Sequence, residues 1–277
     1  MSRWFAVATG WKWPRLAAMS SVMVLLFFVA PGYAAAETIV EARYGAPTER
    51  YGHFALGRPH EYAMLEVRTD AGRRLSLELP STEVFEDLAP RRVRLSAHGP
   101  WELLTIVAHR ETGARLVLIG LEKDTLSMVA QGPAIGAPMR WLNPVGAIDL
   151  DGSGDAEIIA VTTPHIGGTL RVYRREGRSL REVAALRGFS NHVYRSEALD
   201  LSMPWRSGTH TLLLVPDDTR RYLRMVMLRD HDTLVEVGRC RLPAPVTGEV
   251  RNAGAGWVEM RLGERVHRFH LRDCDPS

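Results

Sequence analysis

Three short apolar runs recur in this chain at nearly constant spacing, and that spacing limits the folds open to it. Glu102-Leu-Leu-Thr-Ile-Val107, Glu157-Ile-Ile-Ala-Val161 and Thr211-Leu-Leu-Leu-Val215 begin 55 and 54 residues apart. After a turn, each is followed by another run, at residues 114–119, 169–173 and 222–227. A last element closes each unit at residues 126–130, 180–184 and 234–238, its leading leucine advancing by 54 residues both times. Runs of this length, rich in Val, Ile, Leu and Thr and bounded by turn residues, read as β-strands. Four short strands in roughly 54 residues make the unit of a propeller blade.

The period gives full repeats over about residues 90–131, 143–187 and 195–240, with partial units at 61–88 and 246–271. The expected fold is therefore all-β, a single β-propeller domain over residues 37–277. It would have about five blades of four antiparallel strands, some of them degenerate. Val84-Phe85 reads as the third strand of the first partial unit. Residues Ile39 to Tyr44 are expected to supply the missing outer strand of the last blade, because ring closure hides sheet edges that would otherwise seek partners. A β-sandwich with accessory strands is the competing architecture, and the regular period argues against it.

Within the middle repeat lies Asp149-Leu-Asp151-Gly-Ser153-Gly-Asp155-Ala-Glu157. Oxygen-bearing side chains fall at positions 1, 3, 5, 7 and 9, and glycines at 4 and 6, where a chain wrapping an ion needs tight turns. A hard cation such as calcium collects about six to eight oxygens at close range. Asp149, Asp151, Ser153, the carbonyl of Asp155 and Glu157 are the candidate ligands for one such ion. A polar turn that binds nothing is the plainer reading. An EF-hand would require an acidic residue at position 12, here Ala160, and flanking helices, whereas the run after Glu157 reads as a strand.

The loop resembles the calcium loop of the FG-GAP/VCBS repeat, the blade unit of integrin-type β-propellers. That resemblance implies the propeller fold and one calcium site, and it is specific at residues 145–161. It departs from the family at Ser153, where such loops usually carry Asp, which implies weaker binding. One repeat earlier, Arg94 falls on Asp149 and Glu102 on Glu157. Calcium cannot be held there, and an Arg94–Glu102 ion pair is the expected substitute. The third repeat keeps Asp200 and little else.

Residues 1–36 read as a Sec-type signal peptide. Arg3, Lys12 and Arg15 precede an apolar stretch that is short for a spanning helix, and Ala34-Ala35-Ala36 offers small residues for cleavage before Glu37; an uncleaved membrane anchor is the alternative. The expected mature chain is periplasmic or secreted, with no stable membrane anchor. Beyond Ala36 the chain holds 32 basic and 32 acidic residues, so the basic isoelectric point of the whole sequence is no nucleic-acid footprint. Cys240 and Cys274 could pair in an oxidising compartment or remain free thiols.

In an antiparallel blade, loops alternate between two faces, and the face opposite the Asp149 loop is the expected ligand face. The candidates there are His109, Arg140, Trp141, His165, Asn191 and His192, with Tyr194 nearby. Ordinary solvated loops, with Trp141 packed into a seam, are the competing reading. Arg50, Tyr51, His53 and His60 precede the first full repeat and could cover one end of the ring. No nucleophile elbow, phosphate loop, dinucleotide fingerprint or H-E-x-x-H occurs. The expected function is a binding or scaffold module for a protein or carbohydrate partner. The alternative is an extracytoplasmic enzyme acting on carbohydrate or cell-envelope material.

Overall fold

Between Glu61 and Thr69 buried and half-buried residues alternate without a break, as they must in a strand packed on one face. The computed structural model describes residues 37–208 and 210–276, and it is built of such strands, with no α-helix among the described residues. The expected signal segment, residues 1–36, lies outside the described residues.

The strands group into successive antiparallel meanders. The first contains β1 (Ile39–Thr48), β2 (Glu61–Thr69) and β3 (Arg74–Glu78), with β2 in the middle. Next come β4 (Glu83–Phe85) and β5 (Arg91–Val93), which lie end to end along β6 (Glu102–His109), followed by β7 (Gly113–Glu122) and β8 (Thr125–Gln131). The third meander runs β9 (Leu142–Ile148), β10 (Glu157–Thr162), β11 (Thr169–Glu176), β12 (Ser179–Arg187). The fourth runs β13 (Met203–Ser207), β14 (His210–Pro216), β15 (Tyr222–Arg229), β16 (Thr233–Arg241). The last has three strands, β17 (Val250–Asn252), β18 (Trp257–Leu262) and β19 (Arg265–His270), before a short C-terminal strand β20 (Asp275–Pro276). The sheets are open, and the pairing order runs to free edges.

Two expectations from the sequence are corrected here. Val84 and Phe85 are not confined to the first unit. Phe85 pairs with Tyr62 of β2, as a third strand of that unit would, but both also pair with Ala108 and Val107 of β6. β4 therefore joins the first two meanders into one sheet. Ile39 to Tyr44 does not complete the last sheet; it pairs with β2, its natural neighbour in sequence. The C-terminal tail returns instead to β16, where Arg239 pairs with Asp275, and the Cys240–Cys274 disulfide ties it down.

Apolar side chains form four clusters, and each fills a seam between neighbouring meanders. Leu65 and Val67 meet Leu103 and Val117 in one, and Leu104 and Leu116 meet Ile158 and Tyr173 in the next. Val161 and Val172 face Leu213 and Val226, and Leu214 and Leu223 face Val258 and Met260. The central strands β6 and β10 are buried almost throughout, so they read as continuous apolar runs rather than alternating ones. Each Leu, Ile or Val so buried contributes about 1.5–3 kcal/mol. These seams make the strand ends rigid platforms for the loops at either end.

One edge strand is interrupted. Between β4 and β5, residues 86–90 leave the ladder beside β6, and the Glu86 N–H bonds the Ile106 carbonyl at 3.1 Å. The interruption carries two carboxylates, Glu86 and Asp87, into the interior. Such breaks re-aim side chains that a regular ladder would hold elsewhere.

Candidate functional site

The Asp149 loop joins β9 to β10 and is folded by its own side chains. The carboxylate of Asp149 accepts the N–H groups of Gly152 and Gly154 at 2.8 and 3.1 Å, and both glycines sit at positive φ, 76° and 91°. Only glycine adopts that conformation without strain, which is why both stand in this turn. Asp151 accepts the Ser153 N–H at 3.0 Å, and Glu157 accepts the Leu150 N–H at 3.0 Å. Asp149, Asp151 and Glu157 each bring a carboxylate oxygen to within 4.8 Å of the others. Ser153 and Asp155 are exposed and stand outside that group; the Ser153 hydroxyl accepts the Asp155 N–H at 3.3 Å.

A guanidinium already bridges this cluster. Arg174, on β11, donates to Asp151 at 2.7 Å and to Glu157 at 2.9 Å, and His231, from the hairpin between β15 and β16, meets Asp151 at 2.8 Å. Burial pushes the Asp151 carboxyl up, but the hydrogen bonds of His231 and Ser153 and the charge of Arg174 outweigh it and hold it at about 2. Three carboxylates against one guanidinium leave the cluster short of positive charge, so its donor set fits a hard cation. An ion would share Asp151 and Glu157 with Arg174 or displace it.

The preceding repeat solves the same problem differently from the sequence expectation. Glu102 pairs with Arg175 at 2.6 Å, not with Arg94, whose guanidinium lies over the Trp101 ring at 5.1 Å. Successive side chains on a strand point to opposite faces. Arg174 therefore turns to its own repeat's carboxylates while Arg175 reaches back to Glu102. The two loops meet through a backbone bridge, the Ala156 N–H donating to the Leu95 carbonyl at 2.6 Å. Beside it lies a cleft of about 470 Å³ lined by Ser96, Glu102, Asp151, Asp155, Glu157 and both arginines among others.

A second site lies at the other ends of the strands. A cavity of about 530 Å³ is lined by Arg140 and Trp141, by Thr163, His165 and Ile166, by Tyr194, and by Gly52 and His53 from the β1–β2 connection. Trp141 is 1 % exposed; its indole N–H donates to the Glu86 carbonyl at 2.8 Å, and its ring lies parallel to that of His165 at 6.0 Å. His165 Nε2 meets His192 Nδ1 at 2.8 Å, and the other nitrogen of His192 meets the Ser196 carbonyl at 2.8 Å. Burial, reinforced by the His192 ring, pushes His165 down to about 3, and burial pushes His192 down to about 4. Both rings are therefore neutral at physiological pH, and this wall is an uncharged aromatic surface.

His53, also on the lining, is backed by a carboxylate. His53 Nδ1 lies 2.6 Å from Glu86 Oε1, and Glu86 Oε2 is buried without a hydrogen-bond partner. Burial drives the Glu86 carboxyl up to about 7, with His53 pulling it back. The backbone carrying His53 is fixed by buried Glu61, which accepts the N–H groups of Gly52, His53 and Phe54 at 3.3, 3.0 and 3.1 Å. Two lining residues, Met139 (53°) and Thr163 (51°), have positive φ, as do Phe54 (51°) and Arg195 (63°), which follow His53 and Tyr194 in the chain. For Thr163 in particular, whose branched Cβ crowds its own backbone, that conformation is strained.

Of the ligand-face candidates, Arg140, Trp141 and His165 line this cavity, and His192 stands behind His165. Asn191 does not reach it. Asn191 is fully buried and exchanges amide hydrogen bonds with Asn143 at 3.1 and 3.2 Å, locking two loops together. His109 ends β6 opposite Gly113 and accepts the Glu111 N–H at 3.2 Å, outside the cavity lining. Tyr51 and His53 do cover one end of the strands: the Met139 N–H donates to the Tyr51 hydroxyl at 3.0 Å. Glu86 and Thr163 escaped the sequence reading. The only trace of Glu86 was an acidic pair wedged between Val84-Phe85 and Pro90. The sequence matches no protein-family model, and no curated protein matches it.

Proposed function

We propose that the chain is an exported, five-bladed β-propeller of the FG-GAP/VCBS kind that acts as a binding module for a carbohydrate or protein partner. One observation carries the binding reading. Among the described residues, five large hydrophobic side chains are exposed, and three of them, Met139, Ile166 and Tyr194, rim the same cavity. Scattered exposed hydrophobics are ordinary, but a cluster around a concavity marks a contact surface. His165 and Tyr194 supply ring surfaces that suit a sugar face or an apolar anchor, with buried Trp141 backing His165 and Arg140 as a polar handle.

The stacked meanders and their seams support the propeller, and the Cys240–Cys274 disulfide supports an oxidising, periplasmic or secreted location. Calcium is the cation proposed for the Asp149 loop, held by Asp149, Asp151 and Glu157 with the Ser153 hydroxyl and the Asp155 carbonyl. There it would cross-link the loop and play no part in ligand contact. Binding is tested by passing a glycan panel and an envelope extract over immobilised mature protein. A Tyr194→Ala, Ile166→Asp variant should lose what the wild type retains; equal retention by both would rule the cavity out as the contact surface. An Asp149→Ala variant should lose any calcium-induced rise in Tm, and a wild type whose Tm ignores both calcium and chelator would remove the metal from this reading.

The second reading, an extracytoplasmic enzyme acting on carbohydrate, is favoured by one feature of the same cavity, the His53–Glu86 pair.

A further inference from the structure

We propose that this cavity is the centre of a β-eliminating lyase for uronate-containing glycans: His53 removes the proton beside the carboxylate, Arg140 holds that carboxylate, and Tyr194 protonates the leaving glycosidic oxygen. The inference rests on the cavity being the ligand site, as set out above, and deepens it by naming a substrate class and a reaction.

The case begins with what the cavity offers. With Glu86 ionised, the Nδ1–H of His53 donates to it at 2.6 Å, so Nε2 carries the free lone pair, and no described residue bonds Nε2. A carboxylate behind a histidine fixes the tautomer and stabilises the imidazolium that forms on proton uptake. Tyr194 lines the same space, its ring 6.3 Å from that of His53 and 47 % exposed, and its hydroxyl donates to the His53 carbonyl at 3.4 Å, a long bond that it would exchange for the glycosidic oxygen. Arg140, also on the lining, is the cation nearest at hand for a carboxylate. The plain alternative is a structural ion pair. Against it stand the broken ladder that delivers Glu86 behind His53 and the positive φ of β-branched Thr163 on the cavity lining. Strain of that kind persists where the surroundings over-determine a working geometry.

The other common carbohydrate chemistry fits less well. Glycoside hydrolysis uses two carboxylates flanking the bond. Here Glu86 sits behind His53, and Glu61 is occupied by three backbone N–H groups. Acyl transfer requires an activated nucleophile, yet the only side-chain hydroxyls on the described lining are those of Thr163 and Tyr194. Elimination requires only a base, an acid and a cation to spread the charge of the enolised carboxylate.

The step balances without a co-reactant. The C5–H bond of the uronate breaks and its proton passes to His53 Nε2. Its electron pair becomes the C4=C5 double bond, the C4–O bond breaks, and the departing oxygen takes the phenolic proton of Tyr194. One fragment ends in a 4,5-unsaturated uronate and the other in a free hydroxyl. Imidazolium and phenolate return to their starting forms by exchange with solvent.

The test incubates the mature protein with polygalacturonate and with alginate, with dextran as the uncharged control, and follows the ultraviolet absorbance of the new conjugated double bond. Binding is measured in parallel by affinity electrophoresis. A rise with at least one uronate and none with dextran is expected. His53→Gln and Tyr194→Phe should each lower the rate by about 10²-fold or more while leaving binding within a few-fold. Circular dichroism would confirm that both variants are folded. Binding of a uronate with no absorbance change overturns the lyase and leaves the binding module standing. Neither binding nor cleavage of either uronate also overturns the lyase, and the glycan-panel experiment then judges the binding reading separately. A His53→Gln variant as fast as wild type would remove His53 from the chemistry.

Discussion

The two ends of the strands are built on opposite plans. At one end, a single loop of nine residues brings Asp149, Asp151 and Glu157 together, and every carboxylate there accepts hydrogen bonds from backbone, Arg174 or His231. At the other, separate segments contribute His53, Arg140, His165 and Tyr194 to one cavity, with Glu86 behind His53 and one of its buried oxygens without a side-chain partner. A satisfied cluster makes a good clamp. A strained, under-satisfied one makes a poor clamp and a good place for chemistry or a ligand.

That contrast predicts unequal responses to substitution. The largest belongs to Trp141, which is fully buried and joins the cavity floor to Glu86. Trp141→Ala should lose about 3–5 kcal/mol in denaturant unfolding and abolish ligand retention. A loss below about 1 kcal/mol would show that the floor collapses to fill the space and is not the rigid platform described.

Glu86 comes next, and its sign is opposite to that of the loop. Its folded-state value of about 7 lies above the ordinary carboxylate range, so the fold favours the protonated form. The stability this gives is complete below about pH 4 and is lost as pH rises through about 7, a change on the order of 3 kcal/mol. Glu86→Gln should flatten that decline and be the more stable form at pH 8; parallel pH profiles for both proteins would refute the assignment. Asp151 runs the other way. Its value is held low, at about 2, so its contribution is present above about pH 4 and disappears as pH falls through about 2.

Arg174 tests whether guanidinium and cation compete. Arg174→Gln should cost about 1–2 kcal/mol in the presence of chelator, because Asp151 and Glu157 lose their shared donor. Added calcium should then raise its Tm by more than it raises the wild type's. An unchanged calcium response would mean that the two do not occupy the same place. The smallest effect belongs to His231, whose side chain is 68 % exposed. His231→Ala should change stability by no more than about 0.5 kcal/mol, and mainly at low salt.

Much of the fold could be read without coordinates, because the signals were local. The runs at residues 102–107, 157–161 and 211–215 became the buried strands β6, β10 and β14, since a strand covered on both faces must be apolar along its length. Strand partners across units were harder. Val84-Phe85 and Ile39 to Tyr44 carry a strand pattern but no mark of which neighbour they join; Ile39 to Tyr44 joined β2 and not the last unit, and Val84-Phe85 joined β6 as well as β2. The ligand face was half legible. Trp141 and His165 do lie together, but Trp141 is packed into the core as the competing reading had it, and Asn191 turned inward to Asn143. A polar residue in a loop does not disclose whether it faces water or bridges two buried backbones.

The clustering of Asp149, Asp151 and Glu157 was readable from the chain alone because these carboxylates, their turns and their glycines lie within one short stretch, where spacing is geometry. The source of its countercharge was not. Arg174 stands 23 residues from Asp151, and the matching Arg175 stands 73 from Glu102, so only the packing of sheets could appoint them. The cavity belongs wholly to tertiary structure. His53 and Glu86 are 33 residues apart and His53 and Tyr194 are 141 apart, distances over which a sequence carries composition but no direction. What brings them within hydrogen-bonding reach is the burial of the apolar seams, which fixes where each strand, and hence each loop, must end.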